Sequence, residues 1–158
     1  MLISSTSVFA ASVGIGIGYR QMYEATEVVE VEVYETENGI EYEERGIKSN
    51  IIEEEGETEW GVYATVRNLS WTVGVNVRKY TNSFSASSGQ QIIVSAVMDP
   101  TDKIVNVGII EPDGTRRYVQ GSDTVMHTFD LDQTGYYRVF VENYNSVTVE
   151  ASGSYQIR

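Results

Sequence analysis

The sequence of 158 residues contains no cysteine, one histidine and two prolines. Without cysteine there is no disulfide, no thiolate metal site and no cysteine nucleophile. With His127 as the lone histidine, a zinc centre of the usual nitrogen-rich kind has no ligand set. No Gly-x-Ser-x-Gly elbow accompanies that histidine, so a Ser-His-Asp hydrolase has no visible nucleophile. No Gly-Lys-Ser/Thr follows the alternating Gly14, Gly16 and Gly18, which excludes a phosphate-binding loop of that type. No apolar run approaches the roughly twenty residues of a membrane span, and an amphipathic helical period is absent throughout.

Positive charge is also scarce, with 11 basic against 23 acidic residues. The imbalance is local. Residues 24–59 hold fourteen glutamates against Arg45 and Lys48, whereas residues 60–158 carry eight basic and nine acidic side chains. Such a chain repels nucleic acid. A glutamate-rich strand face serves first as a solvated surface that keeps the chain soluble, and second as a surface for cationic partners.

What is abundant is alternation. Val147, Val149, Ala151, Gly153, Tyr155 and Ile157 alternate with polar residues, and Tyr137, Val139 and Val141 do the same upstream. Asn143-Tyr144-Asn145 between them predicts an antiparallel hairpin. Gln91–Met98, Ile104–Ile110, Thr115–Val119 and Thr124–Leu131 read as further strands, separated by Asp, Pro and Gly turns. Trp60–Leu69 and the Trp71, Val73, Val75, Val77 run add two more, with both tryptophans expected in the core. In the acidic segment Val29, Val31 and Val33 alternate with Glu30 and Glu32, and Asn38-Gly39 offers a type I′ turn into Ile40 and Tyr42. Residues 48–58 have no period and are expected to form a loop.

The spacing predicts one all-β domain over 11–158. It is a jelly-roll-like antiparallel β-sandwich of about eight to eleven strands, with an acidic ribbon and loop over 24–59 and a body over 60–158. Residues 1–10 resemble the tail of a secretory signal, Val8 and Ala10 standing third and first before a cut after Ala10, with Met1 an internal start within a longer signal. The same Ser, Thr, Val and Ile composition equally suits a first strand.

From Asn82 to Ile157 the chain shows a Ser/Gly-rich entry, a strand closing on Glu111-Pro112-Asp113-Gly114, and Thr134-Gly135-Tyr136-Tyr137-Arg138-Val139-Phe140-Val141. This resembles the bacterial pre-peptidase C-terminal domain and related sandwich modules. The resemblance implies a secreted accessory or binding module rather than a catalyst.

Three functional expectations follow. The first is a non-catalytic, secreted or cell-surface bacterial module that binds a protein or a glycan. Its ligand would meet Tyr136, Phe140 and Tyr144 on the polar side of the terminal hairpin, and Glu30, Glu32, Glu41 and Glu43 would form a second, acidic surface. The second is a self-assembling subunit that adds the strand-like tract Ser12–Gly18 to a neighbour's sheet edge. A secreted hydrolase is the third, since paired carboxylates are numerous but sit where their pKa values stay ordinary. Calcium is the one metal to consider, at Asp99 with Asp102 and at Asp130 with Asp132, where turn chemistry is the competing role.

Overall fold

The structure, a computed structural model, describes residues 2–10, 27–60 and 65–158, with side chains from residue 29 onward. Its elements are β1 (Leu2–Ala10), β2 (Glu27–Thr36), β3 (Gly39–Ile47), β4 (Ile52–Glu55), β5 (Thr58–Trp60), β6 (Val66–Val73) and β7 (Val77–Tyr80). They continue with β8 (Phe84–Ala86), β9 (Gln91–Asp99), β10 (Val105–Ile110), β11 (Arg116–Gly121), β12 (Thr124–Asp130), β13 (Gly135–Asn143) and β14 (Val149–Ile157). No helix among the described residues is long and apolar enough to cross a membrane.

Two sheets face each other. The larger runs in the order β1-β2-β3-β11-β10-β13-β7-β4, with β8 pairing β13 beside that path, and the smaller runs β12-β9-β14-β6-β5. Among the described residues all pairings are antiparallel except β4 with β7. Between the sheets lies an aliphatic core: Val105, Val107, Ile109, Val139 and Val141 from the large sheet meet Ile92, Val94, Met98, Val73 and Ala151 from the small one. Period-two alternation therefore places strands as expected, because burying one face of a sheet demands it. The acidic ribbon extends the large sheet through β3, which pairs Glu44 with Arg116 and Tyr42 with Tyr118 on β11.

Five local expectations are corrected. The terminal hairpin does not form, since β13 belongs to the large sheet and β14 to the small one. Asn143 makes the corner: its buried amide donates to the carbonyls of Val73 (3.0 Å), Gly74 (3.2 Å) and Val147 (2.8 Å), tying the chain across to the other sheet. Residues 48–58 are not one loop, because Ile52–Glu55 lies parallel to β7 as an edge strand, held by a backbone ladder that is blind to side-chain period. Its glutamates Glu53, Glu54 and Glu55 blunt that edge.

Trp60 is 61% exposed with the Arg67 guanidinium 3.5 Å above its ring, while Trp71 is buried and donates from Nε1 to the Glu57 carbonyl at 2.7 Å. The run from Trp71 to Val77 breaks at Gly74–Asn76, where Asn76 adopts φ 58° and Val75 turns outward, so β6 and β7 fall in opposite sheets. The ribbon turn is Glu37-Asn38, with Thr36 opposite Gly39, and Gly39 carries the positive φ of 121°. The type I′ turn expected on Asn38-Gly39 is therefore not formed, since neither Glu37 nor Asn38 has the positive φ that it requires.

The stretch that carries the export-signal pattern forms β1, antiparallel to β2. The tract Ser12–Gly18 lies outside the described residues.

Candidate binding site

Strand register puts Tyr42 and Glu44 of β3, Arg116, Tyr118 and Gln120 of β11, Asn106 and Gly108 of β10, Phe140 and Glu142 of β13, and Arg78 of β7 on the outer face of the large sheet. A face turned away from the core would ordinarily be wet. Here Glu44, Arg78, Asn106, Tyr118, Phe140 and Glu142 are all buried.

Charge complementarity makes that burial tolerable. Glu142 accepts from Arg78 Nε (2.9 Å) and Nη2 (2.7 Å), from Lys48 Nζ (3.0 Å) and from Asn106 Nδ2 (3.2 Å). Glu44 takes Arg116 Nε at 2.8 Å and Lys48 Nζ at 3.0 Å, with Arg78 Nη2 at 3.5 Å. Arg78 reaches out to Glu53 as well, at 2.6 Å. A buried ion is costly alone and is retained where its remaining hydrogen-bonding capacity is filled, as it is for both glutamates. Burial pushes the Glu142 carboxyl upward, but Arg78 and Lys48 outweigh it and hold the group below its ordinary value.

Aromatic rings fill the space beside these charges. Tyr42 stacks on Tyr118 with centroids 5.4 Å apart, and Tyr118 meets Phe140 edge-on at 6.2 Å. Gly108, opposite both Tyr118 and Phe140, leaves the gap in which those rings approach. A Cβ there would lie 2.0 Å from the Arg117 carbonyl oxygen and 2.6 Å from Tyr118 Cβ.

At one end of this face opens a pocket of about 260 Å³ lined by Lys48, Asn50, Ile51, Asn76, Asn106, Tyr118, Gln120, Glu142 and Tyr144. Four side-chain amides and two phenols converge there. Gln120 donates to Asn106 Oδ1 at 3.1 Å and Asn106 donates to Glu142, so the floor is ordered while Asn50, Asn76 and Tyr144 stand at the rim. Amides both donate and accept, as hydroxyl groups do, and phenol rings offer apolar faces.

The residues expected at the site divide. Tyr144 is 44% exposed and lines the pocket. Phe140 is fully buried and supports the face from below, a correction that follows from the charged and aromatic layer packed around it. Tyr136 is exposed on the same face but about 20 Å farther along β13.

Of the four glutamates, Glu30, Glu32 and Glu43 share a partly exposed face with Arg45 and Tyr34, Arg45 pairing with Glu43 and the Tyr34 hydroxyl donating to Glu32. Glu41 is corrected to a buried anchor. It meets His127 Nε2 at 2.8 Å and Arg117 Nη2 at 2.9 Å, joining the ribbon to the small sheet's edge. Burial pushes its carboxyl up, but the His127 hydrogen bond and Arg117 override this and lower it. Arg117 also contacts Glu111 at 3.2 Å, yet burial dominates at Glu111 and raises it to about 7.

Asp99, Asp102, Asp130 and Asp132 are all exposed. Asp102 lies 3.5 Å from Lys103, and Asp130 accepts from Gln91 at 2.8 Å. No three acidic or histidine side chains among the described residues converge as a metal site.

Lys48, Asn50, Asn76, Asn106, Tyr118 and Gln120 were not foreseen as site residues. They come from four separate stretches of chain, and only cross-strand register brings them together.

The architecture defines an all-β protein of two facing, largely antiparallel sheets. No family model and no curated protein matches the sequence. Among solved structures the chain is similar to PliG from Aeromonas hydrophila, a periplasmic inhibitor of g-type lysozyme, at 13% identity over 68% of this chain and 98% of that one, with a TM-score of 0.49. It is also similar to the pre-peptidase C-terminal domain of collagenase from Bacillus anthracis, at 9% identity over 68% and 94% with a TM-score of 0.41. The CBM22-1 xylan-binding domain of Xyn10C from Paenibacillus barcinonensis follows at 12% identity over 98% and 96%, with a TM-score of 0.29. The fold itself rests on the strand pairing described above.

Proposed function

We propose that this protein is a non-catalytic binding module that takes a hydroxyl-rich ligand, a glycan, in the outer-face pocket. The observation that carries this reading is the convergence of Asn50, Asn76, Asn106 and Gln120 with the Tyr118 and Tyr144 rings around one opening of about 260 Å³. Sugars present hydroxyls in donor and acceptor pairs and C–H faces that lie on aromatic rings; the amides answer the first and the exposed Tyr144 ring the second. The floor is ordered before any ligand arrives, which lowers the entropy lost on binding.

A binding role suits the pocket better than hydrolysis does. Glu142 is the one carboxylate in its lining, and two cations hold it ionised, so it has no proton to give a leaving group. Glycoside hydrolysis needs a second carboxyl group and a general acid with a raised pKa.

Calorimetric titration with soluble β-linked oligosaccharides of glucose, xylose and N-acetylglucosamine tests the proposal. The expected result is saturable binding to at least one of them, reduced tenfold or more by Tyr144→Ala and by Gln120→Ala. Absence of binding across the panel, or binding that both variants leave unchanged, contradicts it.

A further inference from the structure

The edges of the two sheets are unequal. β4 closes one side of the large sheet with Glu53, Glu54 and Glu55, which repel an incoming strand. On the other side β1, Leu-Ile-Ser-Ser-Thr-Ser-Val-Phe-Ala, carries no charge and no proline, and among the described residues β2 is the one strand it pairs with. Uncharged peptide groups along such an edge are a template for strand pairing with another chain.

The connection between these neighbours is also unequal to its task. β2 and β3 are joined by two residues, Glu37 and Asn38, as adjacent antiparallel strands usually are. β1 and β2 are joined by the sixteen residues 11–26, whose fully extended reach is about 55 Å. A connection of that length lets β1 reach the β2 edge of its own chain or of a neighbouring copy. The ladder itself does not distinguish copies either: Val8 opposite Val29, Thr6 opposite Val31 and Ser4 opposite Val33 form equally well within or between chains. Removing β1 breaks its ladder with β2.

We infer that the β2 edge is a strand-accepting site and that its partner is β1 of a second copy of this chain, so that neighbouring molecules exchange their N-terminal strands. Reciprocal exchange closes a dimer, and one-way donation builds a growing chain of subunits. Exchange is driven by concentration, because the same hydrogen bonds are made in both states. The acceptor lies at the far end of the sheet from β4, so assembly leaves the acidic β4 edge free.

The test uses the full chain with Ser5→Cys and Glu32→Cys together. These residues are opposite each other in the β1–β2 register, within the Cα separation that a disulfide spans. Equal amounts of protein with ordinary and with ¹⁵N-labelled nitrogen are mixed, incubated at high concentration, oxidised, digested and analysed by mass spectrometry. The exchange predicts cross-linked peptides that pair a light β1 with a heavy β2, as abundant as same-label ones, together with masses above the monomer in light scattering. Same-label cross-links alone, in a particle of monomer mass, overturn it. Thr6→Pro, added to the same pair, is expected to abolish the mixed-label peptides while the far-UV spectrum of the sandwich is retained. Mixed-label peptides that persist undiminished in that variant would show that the link does not come from the β1 ladder.

Discussion

The two faces of the large sheet are buried by opposite means. The inner face is packed with aliphatic groups, Val105, Val107, Ile109, Val139 and Val141, against a second sheet. Among the described residues no second sheet covers the outer face, yet Glu44, Glu142, Arg78, Asn106, Tyr118 and Phe140 are as inaccessible as the valines. Nondirectional packing suffices inside, whereas outside each group is held by a particular partner at a particular distance. An aliphatic face tolerates substitution by similar volumes. A charge-compensated face fails when one member is removed, and it presents hydrogen-bonding groups in fixed positions where it opens to solvent. That second property is what a binding surface requires.

The sharpest way to break this contrast is Glu142→Ala, which removes one of the two buried carboxylates that Arg78 and Lys48 share and leaves them Glu44 alone. The expected loss is about 3–5 kcal/mol of unfolding free energy in urea, the range found when a buried pair loses one partner. Within the same experiment Ile109→Val on the inner face is expected to cost only about 1 kcal/mol.

A pH series sharpens the comparison further. The lowered carboxyls Glu41 and Glu142 contribute stability that is present above the unfolded value of 4.5 and is lost as pH falls through their lower folded values. Glu111 has the opposite sign, because its folded value of about 7 lies above 4.5. Its ionised form is disfavoured in the fold, so it costs nothing at low pH, and the cost grows between 4.5 and 7. Glu111→Gln is therefore expected to stabilise the protein at pH 8 relative to pH 5 by an amount bounded at roughly 3 kcal/mol. Thermal unfolding at the two pH values measures it, and an equal effect at both contradicts the assignment.

The smallest effect on stability belongs to Tyr144→Ala. With 44% of the residue exposed, the change is expected to stay within about 0.5 kcal/mol in stability, while glycan binding falls at least tenfold.

Strand positions were legible in the sequence because alternation is imposed locally: Ile92, Val94, Ala96 and Met98 had to share a face whatever lay opposite. Strand partners were not legible. The chain around Asn143 reads as a hairpin turn, and only the three carbonyls its amide caps, from Val73, Gly74 and Val147, turn it into a corner between sheets. Trp60 and Trp71 look alike in sequence, yet one packs against Gly56 and the other lies at the surface under Arg67.

Of the residues that line the candidate pocket, the sequence pointed to one, Tyr144. Phe140 shares its polar-side parity with Tyr136, but the parity says nothing of the charged layer that buries it. Asn106, Gln120 and Glu142 each look like ordinary solvent-facing positions until β11, β10 and β13 are set side by side. Pairing over long sequence separations, rather than any motif, creates the pocket.

The measurement that tests the central claim most directly is a ¹⁵N–¹H spectrum recorded during titration with the oligosaccharide panel. The account predicts saturable shifts in the side-chain amides of Asn50, Asn76, Asn106 and Gln120 and in the backbone at Tyr144, with the inner-face strands unmoved. Shifts confined to another surface, or none at all, would contradict it.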